Sequence, residues 1–302
     1  DADRRERIAV RRRARAGLVA LAGAVACALA AAAFVAWPLP AALTAPMTQP
    51  ALALTDRGGI VLRTTRAADG SRARWMPIAD IDAKLIASFV AVEDRRFFAH
   101  GAVDWRAIAR AAWHDVRARR VVSGASTIAM QTARLVHPTP RTMRGKIEKT
   151  LWALRLGAHL SRQELLEQYL NRVQLGQGAV GVESGAALYF GASARALSVG
   201  QAALLAGLAH APSADNPLVS LGRARVRRAL ALSRMRSAGV ATDPDIAAAA
   251  QEPMLVHSPT QPFLAPHFTT RLLAQLGDSV VRDDEWRTSL DLALQRDVEL
   301  EV

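Results

Sequence analysis

Cysteine, aromatic residues and acidic residues are all scarce in this 302-residue chain. The single cysteine, Cys27, excludes an internal disulfide bond. Aromatic residues make up 5% of the chain, and together with abundant alanine this composition favours helices. There are 27 Asp and Glu residues against 39 Lys and Arg residues, so the net charge is +12. Such a surface suits an anionic partner, which could be nucleic acid, acidic lipid headgroups or a phosphorylated substrate.

Two common kinds of site lack any supporting motif in the sequence. His100 is accompanied by neither an HExxH pattern nor a pair of cysteines, so a structural histidine is favoured over a metal ligand. Helix-turn-helix, zinc-finger and aromatic-interleaved basic patterns are also missing. Nucleic acid is therefore not a predicted partner.

The N-terminal segment predicts a basic tail followed by a membrane helix. Residues 1–16 carry seven arginines and three acidic residues, whereas residues 17–37 carry no charge. A helix needs about 20 apolar residues to cross a bilayer, and the preceding arginines favour a cytoplasmic N-terminus. We expect a single-pass anchor in the cell inner membrane, with the rest of the chain in the periplasm. The alternative is a cleaved signal peptide, with a cleavage site within residues 36–42.

Four regions are expected to follow one another along the chain after the basic tail. They are the anchor at 17–37, a Pro-rich tether and β-hairpin at 38–74, a helical domain at 75–245, and a linker with the start of a further region at 246–302.

Local signals predict several helix boundaries within the helical domain. Ser161 is expected to cap a helix, with Glu164 completing a capping box, and Gly176 is expected to end that helix. Two short helices are expected to join at Gly191.

A carboxylate interrupts an apolar stripe near residue 93. Glu93 follows Phe89 at helical spacing, and Phe97 comes four residues later, so we expect all three on one helix face. Burial would raise the pKa of the Glu93 carboxyl and make it a better base. The alternative is a glutamate at a helix end that pairs with Arg95 or Arg96.

A second segment places hydrogen-bond donors at helical spacing. If Ser123 or Ser126 caps a helix, Thr127, Gln131 and Arg134 share one stripe. Hydroxyl, amide and guanidinium groups together suit a phosphate or a sugar. An ordinary polar helix face is the alternative.

A third segment, residues 141–156, is basic with a single acid, Glu148. Its cations are Arg141, Arg144, Lys146, Lys149 and Arg155. The segment is either an anion-binding surface or a solvated helix with weak intrahelical ion pairs.

Five segments in order resemble the glycosyltransferase family 51 domain of class A penicillin-binding proteins and monofunctional peptidoglycan glycosyltransferases. They are EDRRFFAHGAVD (93–104), GASTIAMQ (124–131), RGKIEK (144–149), LSRQELLEQYLNRVQLG (160–176) and RRALALSRM (227–235). The similarity extends over about residues 75–240. It implies a mainly α, lysozyme-like domain with a small membrane-proximal jaw at about 105–140, preceded here by the membrane helix and the hairpin. The C-terminal TSLDLALQ resembles the entry to a transpeptidase domain.

The resemblance also implies a reaction and its partners. The reaction is polymerisation of lipid II into β-1,4 glycan strands with inversion, releasing undecaprenyl pyrophosphate. The implied partners are lipid II, the growing glycan strand, the inner membrane and cell-wall synthesis proteins. No cofactor is fixed by the resemblance, which leaves open a divalent metal, Mg²⁺ or Mn²⁺, at the pyrophosphate.

Site residues follow from the same resemblance. Glu93 is the expected general base and Glu148 the candidate second acid. The expected substrate-binding residues are Asp94, Phe97, His100, Ser126, Thr127, Gln131, Arg134, Arg141, Lys146 and Lys149.

The chain departs from the family pattern at four positions: Ala102 for Gly, Ala129 for Thr, Gly145 for Arg, and Lys149 for the second Glu. Glu148 is adjacent to Lys149 but rotated by about 100° on a helix. Either Glu148 serves through a local shift, or the acid is missing and Lys149 joins the anion site. Two other functions stay open: a lytic glycan-cleaving enzyme, and a degenerate scaffold that binds lipid II.

Overall fold

The structure is a computed structural model that describes residues 2–46, 53–64, 72–118, 126–140, 142–256, 264–276 and 285–301. The helices of these ranges are α1 Ala2–Ala36, α2 Ala41–Thr44, α3 Ala83–Glu93, α4 Trp105–Ala118, α5 Ile128–Val136, α6 Met143–His159, α7 Arg162–Arg172, α8 Val182–Phe190, α9 Val199–Leu208, α10 Leu221–Ser237, α11 Asp243–Gln251, α12 Pro266–Leu276 and α13 Leu292–Glu301. The strands are β1 Ala53–Thr55, β2 Val61–Thr64, β3 Arg72–Ala73, β4 Gln174–Gly176, β5 Ala179–Val180 and β6 Glu285–Arg287. The predicted mainly α fold is confirmed.

The apolar N-terminal segment forms a helix whose end contacts the rest of the protein. Residues Gly17–Ala36 of α1 are long and apolar enough to cross a membrane. Just beyond α1, Arg155 of α6 donates hydrogen bonds to the carbonyl oxygens of Trp37 at 3.0 Å and Pro38 at 2.6 Å. The ring of Phe34 packs edge-on against Trp152 of α6 at 5.2 Å. The base of the apolar helix is thereby attached to α6.

The predicted β-hairpin is present and gains a third strand from the C-terminal region. β1 pairs antiparallel with β2, and β6 adds in parallel to the other edge of β1. Arg57 forms an ion pair with Asp291, just before α13. A second sheet of β3, β5 and β4 lies beside α8 and α9.

One hydrophobic core joins the helices that carry the motifs. Helix α9 is apolar on every face, as expected of a helix surrounded by protein. It packs against α3 and α10. Phe89 of α3 and Tyr169 of α7 are fully buried and meet edge-to-face at 6.1 Å. Helix α5 packs against both α6 and α7, so α3, α5, α6 and α7 surround one region of the core.

Capping residues explain several helix ends. Ser161 and Glu164 form the predicted capping box of α7. Gly191 ends α8 in the left-handed conformation, as predicted for the joint between two helices.

Three local predictions are wrong. Helix α7 ends at Arg172 rather than at Gly176, which is the last residue of strand β4. Thr127, not Ser126, caps α5, because the Thr127 hydroxyl accepts from the Met130 amide. Ser123 lies outside the described residues. Phe97 does not continue the helical stripe of Glu93, since α3 ends at Glu93 and the backbone of Asp94 leaves the helical conformation.

Candidate active site

Glu93 lies where three helices meet. It is the last residue of α3, and its Oε2 accepts a hydrogen bond from Gln131 Nε2 of α5 at 2.8 Å. The Oε1 of Gln131 accepts in turn from the Tyr169 hydroxyl of α7 at 3.3 Å. Tyr169 is fully buried, so it holds Gln131 in one orientation, and Gln131 fixes the carboxylate.

The protonation of Glu93 reflects two opposing influences. Burial raises the pKa of this carboxyl. The hydrogen bond from Gln131 and electrostatic interactions with His210, Arg234 and Arg227 lower it, but burial has the larger effect and the net pKa is raised. Glu93 is therefore a stronger base than an exposed glutamate, as expected for a group that accepts a proton during a reaction.

Three residues that lower the pKa of Glu93 were not among the predicted site residues: His210, Arg227 and Arg234. Arg234 of α10 donates to the Val92 carbonyl oxygen at 2.7 Å, which places it beside the end of α3. Arg227, two turns earlier on the same face of α10, forms an ion pair with Asp215. Both arginines lie in residues 227–235, one of the five segments that resemble the family. That resemblance could have identified them as site residues. His210, which follows α9, lies outside the five segments that carry the resemblance, and no sequence signal pointed to it.

Asp94, Phe97 and His100 are held by contacts within the protein. His100 Nε2 and Asp94 Oδ1 are joined by a hydrogen bond of 2.7 Å, with both side chains almost fully buried. The other oxygen of Asp94 accepts from the Ile128 amide at 3.1 Å, at the start of α5. The ring of Phe97 is fully buried. These residues connect the end of α3 to α5.

Neither arginine proposed as a partner of Glu93 takes that role. Arg96 forms an ion pair with Asp104 at 3.1 Å, and Arg95 lies exposed. Thr127 donates from its hydroxyl to the Ala102 carbonyl oxygen at 2.7 Å, which attaches the same loop to α5 a second time.

Three of the predicted substrate-binding cations lie together where α5 faces α6. Lys149 Nζ lies 3.3 Å from the Ser126 hydroxyl, one residue before the cap of α5. Burial and the charges of Arg134 and Lys146 lower the pKa of Lys149. We call Arg134, Lys146 and Lys149 the cation cluster. Arg141, the fourth predicted cation of this group, lies outside the described residues.

Glu148 lies on a different side of α6 from the cation cluster. Its carboxylate makes a hydrogen bond of 2.9 Å with His137, whose ring stacks on Trp152 at 4.6 Å. Glu148 also lines a groove of about 540 Å³ together with Phe34 and Leu151, beside the base of α1. The structure thus turns Lys149 toward the start of α5, and Glu148 toward His137 at the end of α5 and toward the anchor.

Two of the departures from the family pattern have packing partners. The Cβ of Ala102 lies where a side chain at Gly157 of α6 would have to fit. A side chain at Gly145 would meet the carbonyl oxygen of Pro140. Glycine at 145 is therefore required by the close approach of the chain before α6.

The chain is similar to proteins of a known family. The family model described as Transglycosylase matches residues 59–236. Penicillin-binding protein 1C of Escherichia coli strain K12 is 36% identical over 263 residues, which cover 87% of this chain and 33% of that protein. A Cupriavidus necator protein named as a transglycosylase is 38% identical over 166 residues, covering 55% of this chain and 71% of its own length.

A solved structure, penicillin-binding protein 1A from Haemophilus influenzae, has a TM-score of 0.48 at 22% identity, covering 84% of this chain and 29% of that chain. This chain spans about a third or less of the penicillin-binding proteins named here. Because the family model covers more than half of the 302 residues, the resemblance seen in the sequence is confirmed: the chain belongs to the transglycosylase family.

Proposed function

We propose that this chain polymerises lipid II into β-1,4 glycan strands with inversion and releases undecaprenyl pyrophosphate. The observation that carries the proposal is the setting of Glu93, a partly buried carboxylate of raised pKa that is held by Gln131 and lies within the electrostatic reach of Arg234 and Arg227. A base beside cations suits a reaction in which a hydroxyl is deprotonated while a pyrophosphate departs.

Glu93 acts in this proposal as the general base. It takes the proton of the acceptor 4-hydroxyl as the acceptor oxygen bonds to the anomeric carbon of the donor, and the bond from that carbon to pyrophosphate breaks. Gln131 and Tyr169 are positioning residues, because the chain of hydrogen bonds through them holds the Glu93 carboxylate. Asp94, His100 and Phe97 position the loop that follows.

The cation cluster holds the departing pyrophosphate. A charged nitrogen that hydrogen-bonds a phosphate oxygen contributes more than a neutral donor. Lys149 occupies the position of the family's second acid. Its contact with Ser126 directs its side chain toward the start of α5. The contacts of Glu148 with His137 and the anchor groove support a structural role for that acid.

The anchor places this chemistry at a membrane surface. We propose that α1 spans the inner membrane through residues 17–36, with a cytoplasmic N-terminus and a periplasmic catalytic domain. The hydrogen bonds from Arg155 to the residues just after α1 support an anchor that is retained rather than cleaved. Membrane attachment would bring the site to its lipid-linked substrates.

The test is polymerisation of labelled lipid II by the detergent-solubilised chain, with Glu93→Gln as the matched inactive variant. Glycan strands from the wild-type chain alone would support the proposed reaction and its base. If the wild type instead released anhydro-sugars from soluble glycan, it would be a lytic enzyme. If it bound lipid II without turnover, it would be a scaffold.

A further inference from the structure

A metal ion at the pyrophosphate would need oxygen ligands, and carboxylates are the usual protein donors for Mg²⁺ and Mn²⁺. In this chain the position that carries the second acid of the family is Lys149. Its ammonium group hydrogen-bonds the Ser126 hydroxyl at 3.3 Å. Lys149 therefore contributes a positive charge at the position where a carboxylate could have bound a metal ion.

The surroundings of Lys149 are also positive. Lys146 lies three residues earlier on α6 and so shares its face. Arg134 reaches the same region from α5. Ser126 comes just before the N-terminus of the nine-residue helix α5, which carries a partial positive charge. Like charges this close repel one another and would repel a dication, whereas a pyrophosphate would neutralise them.

The nearby carboxylates of the described residues have other partners. Glu148 is bound to His137 on the anchor side of α6, and Glu93 accepts from Gln131. Within the described ranges there is no group of three or more His, Cys, Asp or Glu side chains that could hold a metal ion. The donor set on the pyrophosphate side thus fits an anion and does not fit a divalent metal.

We infer that the cation cluster replaces a divalent metal in this chain, with the Lys149 ammonium binding the pyrophosphate oxygens directly. The inference rests on the proposed polymerase function and specifies how its leaving group is stabilised. Its consequence is that glycan polymerisation by this chain proceeds in the presence of a chelator.

The first experiment compares lipid II polymerisation by the whole chain in EDTA and in Mg²⁺ or Mn²⁺. We expect the wild-type rates to agree within about twofold, and Lys149→Met to lower the rate roughly 10–100-fold under both conditions, as for loss of a charged hydrogen bond. Lys149→Glu should be inactive in EDTA and recover at least about tenfold with metal, because it restores a carboxylate ligand. A wild-type rate that falls more than about tenfold in EDTA and returns with Mg²⁺ would overturn the inference.

The second experiment does not depend on turnover. Binding of inorganic pyrophosphate in EDTA is measured by calorimetry for the wild type, Lys149→Glu and Lys84→Met. Lys84 lies on α3 and pairs with Asp82, so its variant removes one positive charge without touching the cation cluster. We expect the wild type and Lys84→Met to bind alike and Lys149→Glu to bind at least about tenfold more weakly.

Pyrophosphate binding by the wild type only when Mg²⁺ is added would contradict the inference. If the wild type made no glycan in any condition yet bound pyrophosphate in EDTA, the polymerase proposal would fail and the metal-free anion site would stand.

Discussion

Two glutamates of this protein, Glu93 and Glu148, show how different the surroundings of the same side chain can be. Glu93 ends a buried helix, accepts from Gln131 and has a raised pKa. Glu148 lies in the middle of α6 with its side chain 38% exposed and its carboxylate on His137. Both come from segments that resemble family motifs. Two residues from family-like segments can therefore differ widely in burial and in partners.

Helix α5 accounts for much of the difference. Its Gln131 faces α3 and reaches Glu93, while the residue just before its cap, Ser126, faces α6 and meets Lys149. Glu148 is about 100° around α6 from Lys149 and so turns to the anchor side. Because Glu148 and Lys149 are adjacent on α6, a shift of one residue decides whether a carboxylate or an ammonium group meets Ser126.

The largest effect should separate the two glutamates directly. We expect Glu93→Gln to lower the rate of lipid II polymerisation by at least about 100-fold, since a general base contributes 10²–10⁴-fold. Glu148→Gln should stay within about fivefold of the wild type, because its amide can still bond His137. Equal losses from the two variants would show that Glu148 shares the chemistry.

A smaller effect should come from the partner of Glu93. Gln131→Leu removes the hydrogen bond that lowers the pKa of Glu93, so this pKa should rise further. The base works only when ionised, and the acid limb of kcat/KM against pH should therefore move to higher pH. We expect a shift of roughly one pH unit, read from pH–rate profiles. Glu148→Gln is the control and should leave the pH–rate profile unchanged. An unshifted profile for Gln131→Leu would show that Gln131 does not influence the pKa of the catalytic base.

The segments that carry the two glutamates pack together where Ala102 meets Gly157, and this contact can be tested. Ala102 follows Glu93 in its motif, and Gly157 lies on the helix of Glu148. Gly157→Ala should lower the free energy of unfolding by about 1–3 kcal/mol, because the two methyl groups would overlap. Adding Ala102→Gly should restore most of that loss in thermal unfolding. If the double variant were as unstable as Gly157→Ala, the contact would not explain the departure at 102.

The smallest expected effect is an increase in thermal stability on replacing Glu93. The pKa of Glu93 is higher in the folded protein than its ordinary value of 4.5, so ionising Glu93 costs folding free energy as pH rises above that value. Glu93→Gln should therefore raise Tm by about 2 °C near pH 7.5, and the gain should vanish near about pH 4, where both forms are neutral. A constant gain at both pH values would mean that burial of charge is not its cause.

Local structure was predictable where a short stretch of chain decides it. The Ser161–Glu164 capping box, the hairpin and the joint at Gly191 depend on neighbouring residues, and all three are confirmed. Periodicity failed at Phe97, because a helical pattern continues in the sequence after the helix itself has ended. It is the turn after Glu93, not helical spacing, that buries Phe97.

Parts of the site could be predicted because the motifs name their residues. Glu93, Gln131 and Lys149 were singled out in the sequence, and the structure brings Gln131 to Glu93. The approach of Arg234 to the end of α3 was not predicted, since these segments are 142 positions apart and meet only through the packing of α10 on α3.

Motif order, length and composition are properties of the chain, so the family, the apolar N-terminal helix and the positive charge could be predicted without the structure. The contact of Lys149 with the start of α5, the contact of Glu148 with His137 at its end, and the raised pKa of Glu93 depend on the tertiary structure. The physical reason is that orientation and desolvation arise from helices packing against one another, and residues far apart along the chain supply the partners.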